Sequence, residues 1–251
     1  IILNRMNFPD FNSDNTQDHW ERFCELLWHN EKIGIWLDIS KMMINSSDLD
    51  KLNPLFQKAL LSMKELENGS IANLDEERQV GHYWLRNSDI SPTDEIRNKI
   101  DKLNTEISDF GNDILSGKIS NIKNKKFTDV LWIGIGGSGL GPKLIIESLQ
   151  KIDIGLNFHF LDNVDPEGIS RTLSLLKLKI NTTLIVVVSK SGGTPEPKIC
   201  MDQAQFFVNN NGGDWYSQAV AITMKNSDLD KTAVNENWLK SFDLPDWVGG
   251  R

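Results

Sequence analysis

The spacing of apolar residues changes once along the chain, near residue 118. Before that point, apolar side chains recur at intervals of three and four residues, which is the period of a helix with one buried face. This pattern predicts that the first part of the chain consists of helices and loops. Three stripes carry the prediction, at residues 20–27, 52–63 and 96–114.

Helix start and stop signals accompany two of these stripes. Gly69 follows the second stripe and Gly117 the third, and glycine is a common residue just past a helix end. The stretch "SPTDEI" predicts where the third helix starts, with Ser91 as its cap, Pro92 at its first position and Asp94 as the capping-box acid.

Beyond the basic run 118–126, which we interpret as a solvated linker, the pattern changes to short continuous apolar runs. Such runs are typical of strands buried on both faces of a parallel sheet. Helix-length stretches separate them, so the sequence predicts a doubly wound parallel α/β sheet of five strands. For its order we take the flavodoxin-like 2-1-3-4-5. The predicted strands lie at 130–136, 158–163, 183–189, 219–224 and, in a strand-like stretch, 246–248.

Composition narrows the classes of partner. The 251 residues carry a net charge of −8, which argues against a nucleic-acid surface and requires local donors for any anionic ligand. No apolar run approaches the length of a membrane span, and the start of the chain does not resemble a signal peptide. The two cysteines, Cys24 and Cys200, lie in predicted helices, so we expect buried free thiols and a cytoplasmic location. The four histidines show no metal-ligand spacing, and no metal is expected.

The first candidate site is the loop "GIGGSGLGP", which follows a predicted strand and opens a helix. Glycines and free helix N–H groups suit the binding of an anion. The spacing of Gly134, Gly136 and Gly139 also matches the dinucleotide fingerprint, and Asp162 lies where a ribose-binding acid would be. A loop that only packs strand against helix is a third interpretation. This loop alone does not decide between a dinucleotide, a simple phosphate and packing.

The second candidate site is the loop "SKSGGT" after the third strand. Ser189, Ser191 and Thr194 offer hydroxyls, Lys190 offers a charge, and the glycine pair 192–193 opens the backbone to an anion. In the order 2-1-3-4-5 the first and third strands are neighbours, and the loops that leave them form a crevice. Two donor-rich loops facing one crevice favour a compact phosphate monoester over a dinucleotide. An ordinary polar turn is the alternative.

Taken together, "GIGGSGLGP", "SKSGGTPEP" and the terminal "WVGGR" resemble the glucose-6-phosphate isomerase family of the sugar isomerase (SIS) superfamily. The stretch "EERQVGHYWLR" (Glu76–Arg86) also resembles part of that family's helical N-terminal region. The resemblance covers nearly the whole chain. It implies a helical N-terminal region at 1–117 and a first SIS domain at 118–251 that is truncated at its C-terminal end.

The resemblance also implies roles for individual residues. Arg251 would be catalytic and would stabilise the enediolate intermediate. The family's threonine at position 191 is a serine here, and Gly193 lacks the hydroxyl found there in the commoner form. The implied substrate-binding residues are Gly137, Ser138, Ser189, Lys190, Ser191 and Thr194.

The implied reaction is the interconversion of glucose 6-phosphate and fructose 6-phosphate through a cis-enediol, a step of glycolysis and gluconeogenesis, without metal or organic cofactor. The family's catalytic glutamate and ring-opening histidine lie beyond its Gly-Gly-Arg motif. We therefore expect this chain to be an inactive fragment of an active enzyme that is homodimeric when intact. His82 and His159 are expected to be structural.

Two other functions stay open at this point. A non-catalytic SIS-type sensor would bind sugar phosphate and signal to a partner. A nucleotide-dependent oxidoreductase would use Gly134, Gly136, Gly139 and Asp162 to bind NAD.

Overall fold

The computed structural model describes residues 8–121, 123–149 and 155–249. The chain divides into two compact units, Ile1–Glu65 and Leu66–Arg251. The predicted boundary between a helical region and a sheet domain, at residues 117 and 118, stays a prediction. Within the described ranges, no helix combines the length and the hydropathy of a membrane span.

The described part of the first unit contains two helices and a hairpin. The hairpin is a departure from the sequence prediction, which expected only helices and loops in this region. Helix α1 ends at Leu26. Leu27, predicted to be the last residue of the first helical stripe, is instead the first residue of the hairpin. In chain order the elements are α1 (Thr16–Leu26), β1 (Leu27–Asn30), β2 (Ile35–Asp38) and most of α2 (Ser46–Glu67).

The buried face of α1 is not the predicted apolar stripe. Arg22 and Leu26 are its buried residues, whereas Trp20 is 58% exposed. Cys24 is also exposed, so the expectation that both thiols are buried is wrong for this one. Arg22 can be buried because its guanidinium donates to carbonyl groups, which compensate the lost hydration. The acceptors are the backbone oxygens of Pro9, Ser40, Met42 and Ile44.

The second unit begins with a small hairpin and a long helix. The hairpin is formed by β3 (Ile71–Asn73) and β4 (Arg78–Gln79). Helix α3 (Asp94–Ser116) ends as predicted at Gly117, whose φ of 80° is left-handed. Its cap, however, is Thr93 and not Ser91: the Thr93 hydroxyl accepts from the Ile96 N–H.

The remainder of the second unit is the predicted doubly wound parallel sheet. Its order is β6-β5-β7-β8-β9, which is 2-1-3-4-5 in chain order and confirms the prediction. The strands are β5 (Asp129–Ile133), β6 (Asn157–Leu161), β7 (Thr183–Val188), β8 (Ala219–Thr223) and β9 (Lys240–Asp243). The helices are α4 (Gly137–Leu149), α5 (Pro166–Leu176), α6 (Pro195–Asn210), α7 (Trp215–Gln218) and α8 (Asp228–Asn235).

The fifth strand differs in position from the prediction. It is "KSFD" at Lys240–Asp243, paired in parallel with β8, whereas the predicted stretch 246–248 is a turn and coil. The apolar residues of that stretch have another partner, because Trp247 packs edge-on against Trp84 with ring centroids 5.2 Å apart.

Alternate residues of the strands face two cores. Leu131, Ile133 and Ile185 face a core shared with α5, α6 and α8. Val130 and Leu184 face the other side, which α3 covers. Helices α3 and α4 leave an open apolar groove of about 850 Å³ on that second side. All six residues of β7 are buried, as its continuous apolar run predicts.

Candidate functional site

A cavity of about 420 Å³ lies at the carboxyl ends of β5 and β7. The structure brings to it five of the sequence-predicted residues, which come from two separate loops. Gly137 does not line the cavity, although its neighbours Gly136 and Ser138 do. Arg251 lies outside the described residues. The five predicted residues at the cavity are Ser138, Ser189, Lys190, Ser191 and Thr194.

Glycine is required in the first loop for two different reasons, close packing at two positions and a left-handed backbone at a third. A Cβ on Gly139 would lie 2.2 Å from the Gly134 carbonyl oxygen, and one on Gly134 would lie 2.7 Å from the Ser138 carbonyl oxygen. Close strand–helix packing alone therefore requires both. Gly136 has a φ of 59°, which the turn itself imposes and which favours glycine.

A side chain of strand β5 forms a hydrogen bond with a backbone carbonyl in the first turn of α4. Pro142 lies within the helix and has no N–H to donate to the carbonyl of Ser138 four residues earlier. The indole N–H of Trp132, on β5, donates to that carbonyl at 2.8 Å instead. The strand thereby holds the turn that presents the Ser138 side chain to the cavity.

The second loop is held by the neighbouring strand and helix. The Ser189 N–H donates to the Ile222 carbonyl, and the Lys190 carbonyl accepts from the Met224 N–H at 3.0 Å. Gly192 has a φ of 71°, and a Cβ there would lie 2.4 Å from the Leu229 nitrogen. This loop therefore passes so close to α8 that only glycine fits at position 192.

The N-terminus of α6, which begins at this loop, offers fewer backbone N–H donors than most helix N-termini. Thr194 is the N-cap residue of α6, and Pro195 and Pro197 occupy the first turn without N–H groups. Glu196, between them, also lines the cavity with a carboxylate. The first turn of α6 thus contributes two fewer N–H donors, and the side-chain hydroxyls and the Lys190 ammonium supply the other donors of this loop. The Ser191 and Thr194 hydroxyls lie 3.5 Å apart at the cavity.

Lys190 supplies the charge of this loop. Its ammonium donates to the carbonyl oxygen of Asp246 at 2.6 Å. Partial burial lowers the pKa of Lys190 below its ordinary value, and the positive charge of Arg78 adds to the effect. The carboxylates of Glu76 and Asp246 act in the opposite direction. The ammonium group is thus partly desolvated.

Three charged residues at the cavity were not assigned a role from the sequence: Glu196 and the pair Glu76 and Arg78. Glu76 and Arg78 both line it, from β4 and the turn before it. They form an ion pair, with Arg78 Nη1 3.2 Å from Glu76 Oε2. The charged run "EER" was the available signal in the sequence, but it does not indicate which surface the hairpin faces.

The segment that follows β4 is attached to the segment that follows β9. The Gly81 N–H donates to the Trp247 carbonyl at 2.9 Å, and His82 Nε2 lies 3.1 Å from the Gly249 carbonyl oxygen. A Cβ on Gly81 would lie 2.5 Å from the Trp247 ring. Gly81 therefore permits the close approach of these two segments beside the cavity.

Other candidate groups are engaged elsewhere. The Asp162 carboxylate, a candidate ribose ligand, pairs with Lys143 at 3.0 Å. His159 Nε2 lies 2.9 Å from Asp129, at the amino end of the sheet and away from the cavity. Within residues 8–121, 123–149 and 155–249, no group of three His, Cys, Asp or Glu side chains is placed to hold a metal ion.

Comparison with known proteins relates this geometry to one family. The sequence model described as "Phosphoglucose isomerase" matches residues 38–251. Curated glucose-6-phosphate isomerases from two strains of Prochlorococcus marinus are 61% and 60% identical over 246 residues. Each match covers 98% of this chain and 46% of the relative. The chain thus spans about half the length of these relatives.

A solved structure has the same fold. The crystal structure of a glucose-6-phosphate isomerase from Chlamydia trachomatis superposes with a TM-score of 0.75 over 97% of this chain and 46% of that one. Sequence identity is 23%, so this match supports the architecture alone.

Proposed function

The chain belongs to the phosphoglucose isomerase family, and from that premise we propose that it forms the phosphate-binding part of an isomerase. The proposed reaction interconverts glucose 6-phosphate and fructose 6-phosphate through a cis-enediol, in glycolysis and gluconeogenesis. A proton moves between C2 and C1 of the sugar, and a general base must carry it.

One observation carries the proposal: Ser138 and Lys190, from loops that follow different strands, line the same small cavity. A phosphate monoester has three terminal oxygens and about two negative charges. Hydroxyls on two sides and an ammonium group match that pattern of acceptors. Because the net charge of the chain is −8, these local groups must outweigh a repulsive overall field.

Gly137 and Arg251 are part of the proposal on the strength of the family motif alone. For Gly137 the contact would be through its backbone N–H at the start of α4. Arg251 would stabilise the charge that develops on the enediolate.

No residue of this chain is assigned as the base that moves the proton. We expect the 251 residues to bind the phosphoryl group without turnover, and the intact protein to be an active homodimer. A cytoplasmic location is also proposed, supported by two free cysteines.

Calorimetric titration of the 251-residue chain tests the binding. We expect glucose 6-phosphate to bind and glucose not to. Lys190→Ala should weaken binding by about 1.5–3 kcal/mol, the usual value of a charged contact. Lys177→Ala, which removes an exposed lysine on another element, is the matched control. Binding of NAD but not of glucose 6-phosphate would refute the proposal in favour of an oxidoreductase.

Isomerase assays with fructose 6-phosphate test whether the 251 residues bind the substrate without supplying the catalytic base. The 251-residue chain should be inactive and the complete gene product active. Turnover by the 251 residues alone would place the base within them and contradict the assignment, and binding by an inactive complete product would favour a sensor.

A further inference from the structure

The charged groups around the cavity do not favour an anion unless Arg78 takes part. Of the described residues, four with charged side chains line the cavity, two carboxylates and two cations: Glu76, Glu196, Arg78 and Lys190. Without Arg78 the lining would carry a net negative charge and would repel a phosphate dianion. With Arg78 the two carboxylates are balanced by two cations.

Lys190 cannot by itself satisfy a phosphoryl group. One of its three N–H bonds is already directed to the Asp246 carbonyl oxygen. Arginine adds a planar fork of donors that matches two phosphate oxygens at once. Arg78 is a second cation with this geometry, and it lines the cavity.

The ion pair that holds Arg78 at the cavity is easily exchanged. Arg78 Nη1 contacts Glu76 Oε2 at 3.2 Å, and the two side chains are 29% and 54% exposed. Pairs of this exposure contribute little to stability because water competes for both groups. A phosphate dianion carries more charge than the Glu76 carboxylate and is the stronger partner.

The same short segment of chain fixes both cations. Lys190 donates to the Asp246 carbonyl, and Gly81, two residues after β4, donates to the Trp247 carbonyl. Edge-on packing of Trp84 against Trp247 reinforces that connection. Arg78 is therefore placed at the cavity by the fold and does not depend on a ligand to bring it there.

We propose that Arg78 is a second cationic contact for the phosphoryl group of the ligand, and that Glu76 holds its guanidinium until the ligand takes over. This inference rests on the proposed function. Binding exchanges the Glu76–Arg78 ion pair for an Arg78–phosphoryl pair, so Glu76 opposes binding and Arg78 promotes it.

Calorimetry with the 251-residue chain tests this, with inorganic phosphate and glucose 6-phosphate as probes. Arg78→Gln should raise the Kd for both probes about 10-fold to 100-fold, the effect of losing a charged hydrogen bond. Arg78→Lys should recover part of the affinity. Arg171→Gln, which removes an exposed arginine from α5, is the control and should leave Kd unchanged.

Glu76→Gln should change the Kd in the opposite direction to Arg78→Gln. It should lower the Kd for both probes several-fold, because it frees Arg78 and removes a like charge. In the Arg78→Gln background the same change should gain less, because no guanidinium is left to release. Equal gains in both backgrounds would contradict the exchange of partners.

The outcomes separate this inference from the function on which it rests. If Lys190→Ala weakens binding but Arg78→Gln does not, the proposed function stands and the role of Arg78 is wrong. If the unaltered chain binds neither probe, both are wrong. A loss in Arg78→Gln that is accompanied by a lower Tm and not relieved by Arg78→Lys would make the residue structural and overturn the inference.

Discussion

The ammonium group of Lys190 lies 2.6 Å from the carbonyl oxygen of Asp246. This contact joins the loop after β7 to the segment after β9, which are far apart in the sequence. Because the same segment also accepts the Gly81 N–H at Trp247, three parts of the chain meet beside the cavity.

The affinity for a phosphate monoester should fall as the pH rises toward 10. Burial and the charge of Arg78 lower the pKa of Lys190 below its ordinary value, so its charge is lost at a lower pH than that of an exposed lysine. The ligand itself stays a dianion over this range. Calorimetry between pH 7 and about 10 measures the effect, and Lys190→Arg should flatten it because arginine keeps its charge. A flat profile in the unaltered chain would contradict the prediction.

Gly192→Ala should destabilise the loop and weaken ligand binding. The φ of 71° and a Cβ 2.4 Å from the Leu229 nitrogen both oppose any side chain there. We expect a loss of about 1–3 kcal/mol in the free energy of unfolding, measured by urea denaturation.

Gly193→Ala is the matched control for that loop. A Cβ at Gly193 would meet no atom within 4 Å. Its effect on stability should stay within about 0.5 kcal/mol, as for other unstrained surface changes. Equal losses at both glycines would show that close packing against α8 is not the cause.

The buried carboxylate of Asp129 should make the fold sensitive to acid. Burial opposes its ionised form, but hydrogen bonds from His159, Thr128 and Lys179 outweigh burial and lower the pKa of Asp129. A lowered pKa in the folded state stabilises the protein fully above the unfolded value of about 4, and this stabilisation is lost as the pH falls through the folded value.

Asp129→Asn measures that contribution. At pH 7 it should lower the free energy of unfolding by about 1.5–3 kcal/mol, the value of hydrogen bonds to a buried charge. The difference from the unaltered chain should shrink below about pH 4. Asp202→Asn, which removes an exposed helix pair with Lys198, should change stability by less than about 0.5 kcal/mol. A pH-independent effect of Asp129→Asn would refute the assignment.

Trp132→Phe should loosen the first loop by leaving the Ser138 carbonyl without its indole donor. The expected loss is about 1 kcal/mol for the hydrogen bond, in addition to any loss of packing. Adding Pro142→Ala restores a backbone N–H four residues after Ser138 and should recover part of the loss. Denaturation of the two single variants and the double variant tests the coupling, and strictly additive effects would contradict it.

The sequence determined the architecture of the sheet and the two loops. Runs such as Thr183–Val188 are apolar at nearly every position, which is typical of a strand buried on both faces. Glycines at 134, 136 and 139 follow such a run and precede a helix, so they marked a tight turn without tertiary information. The order 2-1-3-4-5 is one of the two common orders of such sheets, and the hypothesis of two loops facing one crevice assumed it.

Only the tertiary structure decided the fifth strand, the buried face of α1 and the charged lining of the cavity. The strand "KSFD" has too few apolar residues to be recognised, and it is a strand because β8 offers an edge to pair with. Arg22 is buried because carbonyl groups surround it, which no periodicity predicts. Glu76 and Arg78 reach the cavity through contacts of the following segment with Trp247. Local patterns encode how a segment folds, but which distant groups share a cavity depends on packing between segments.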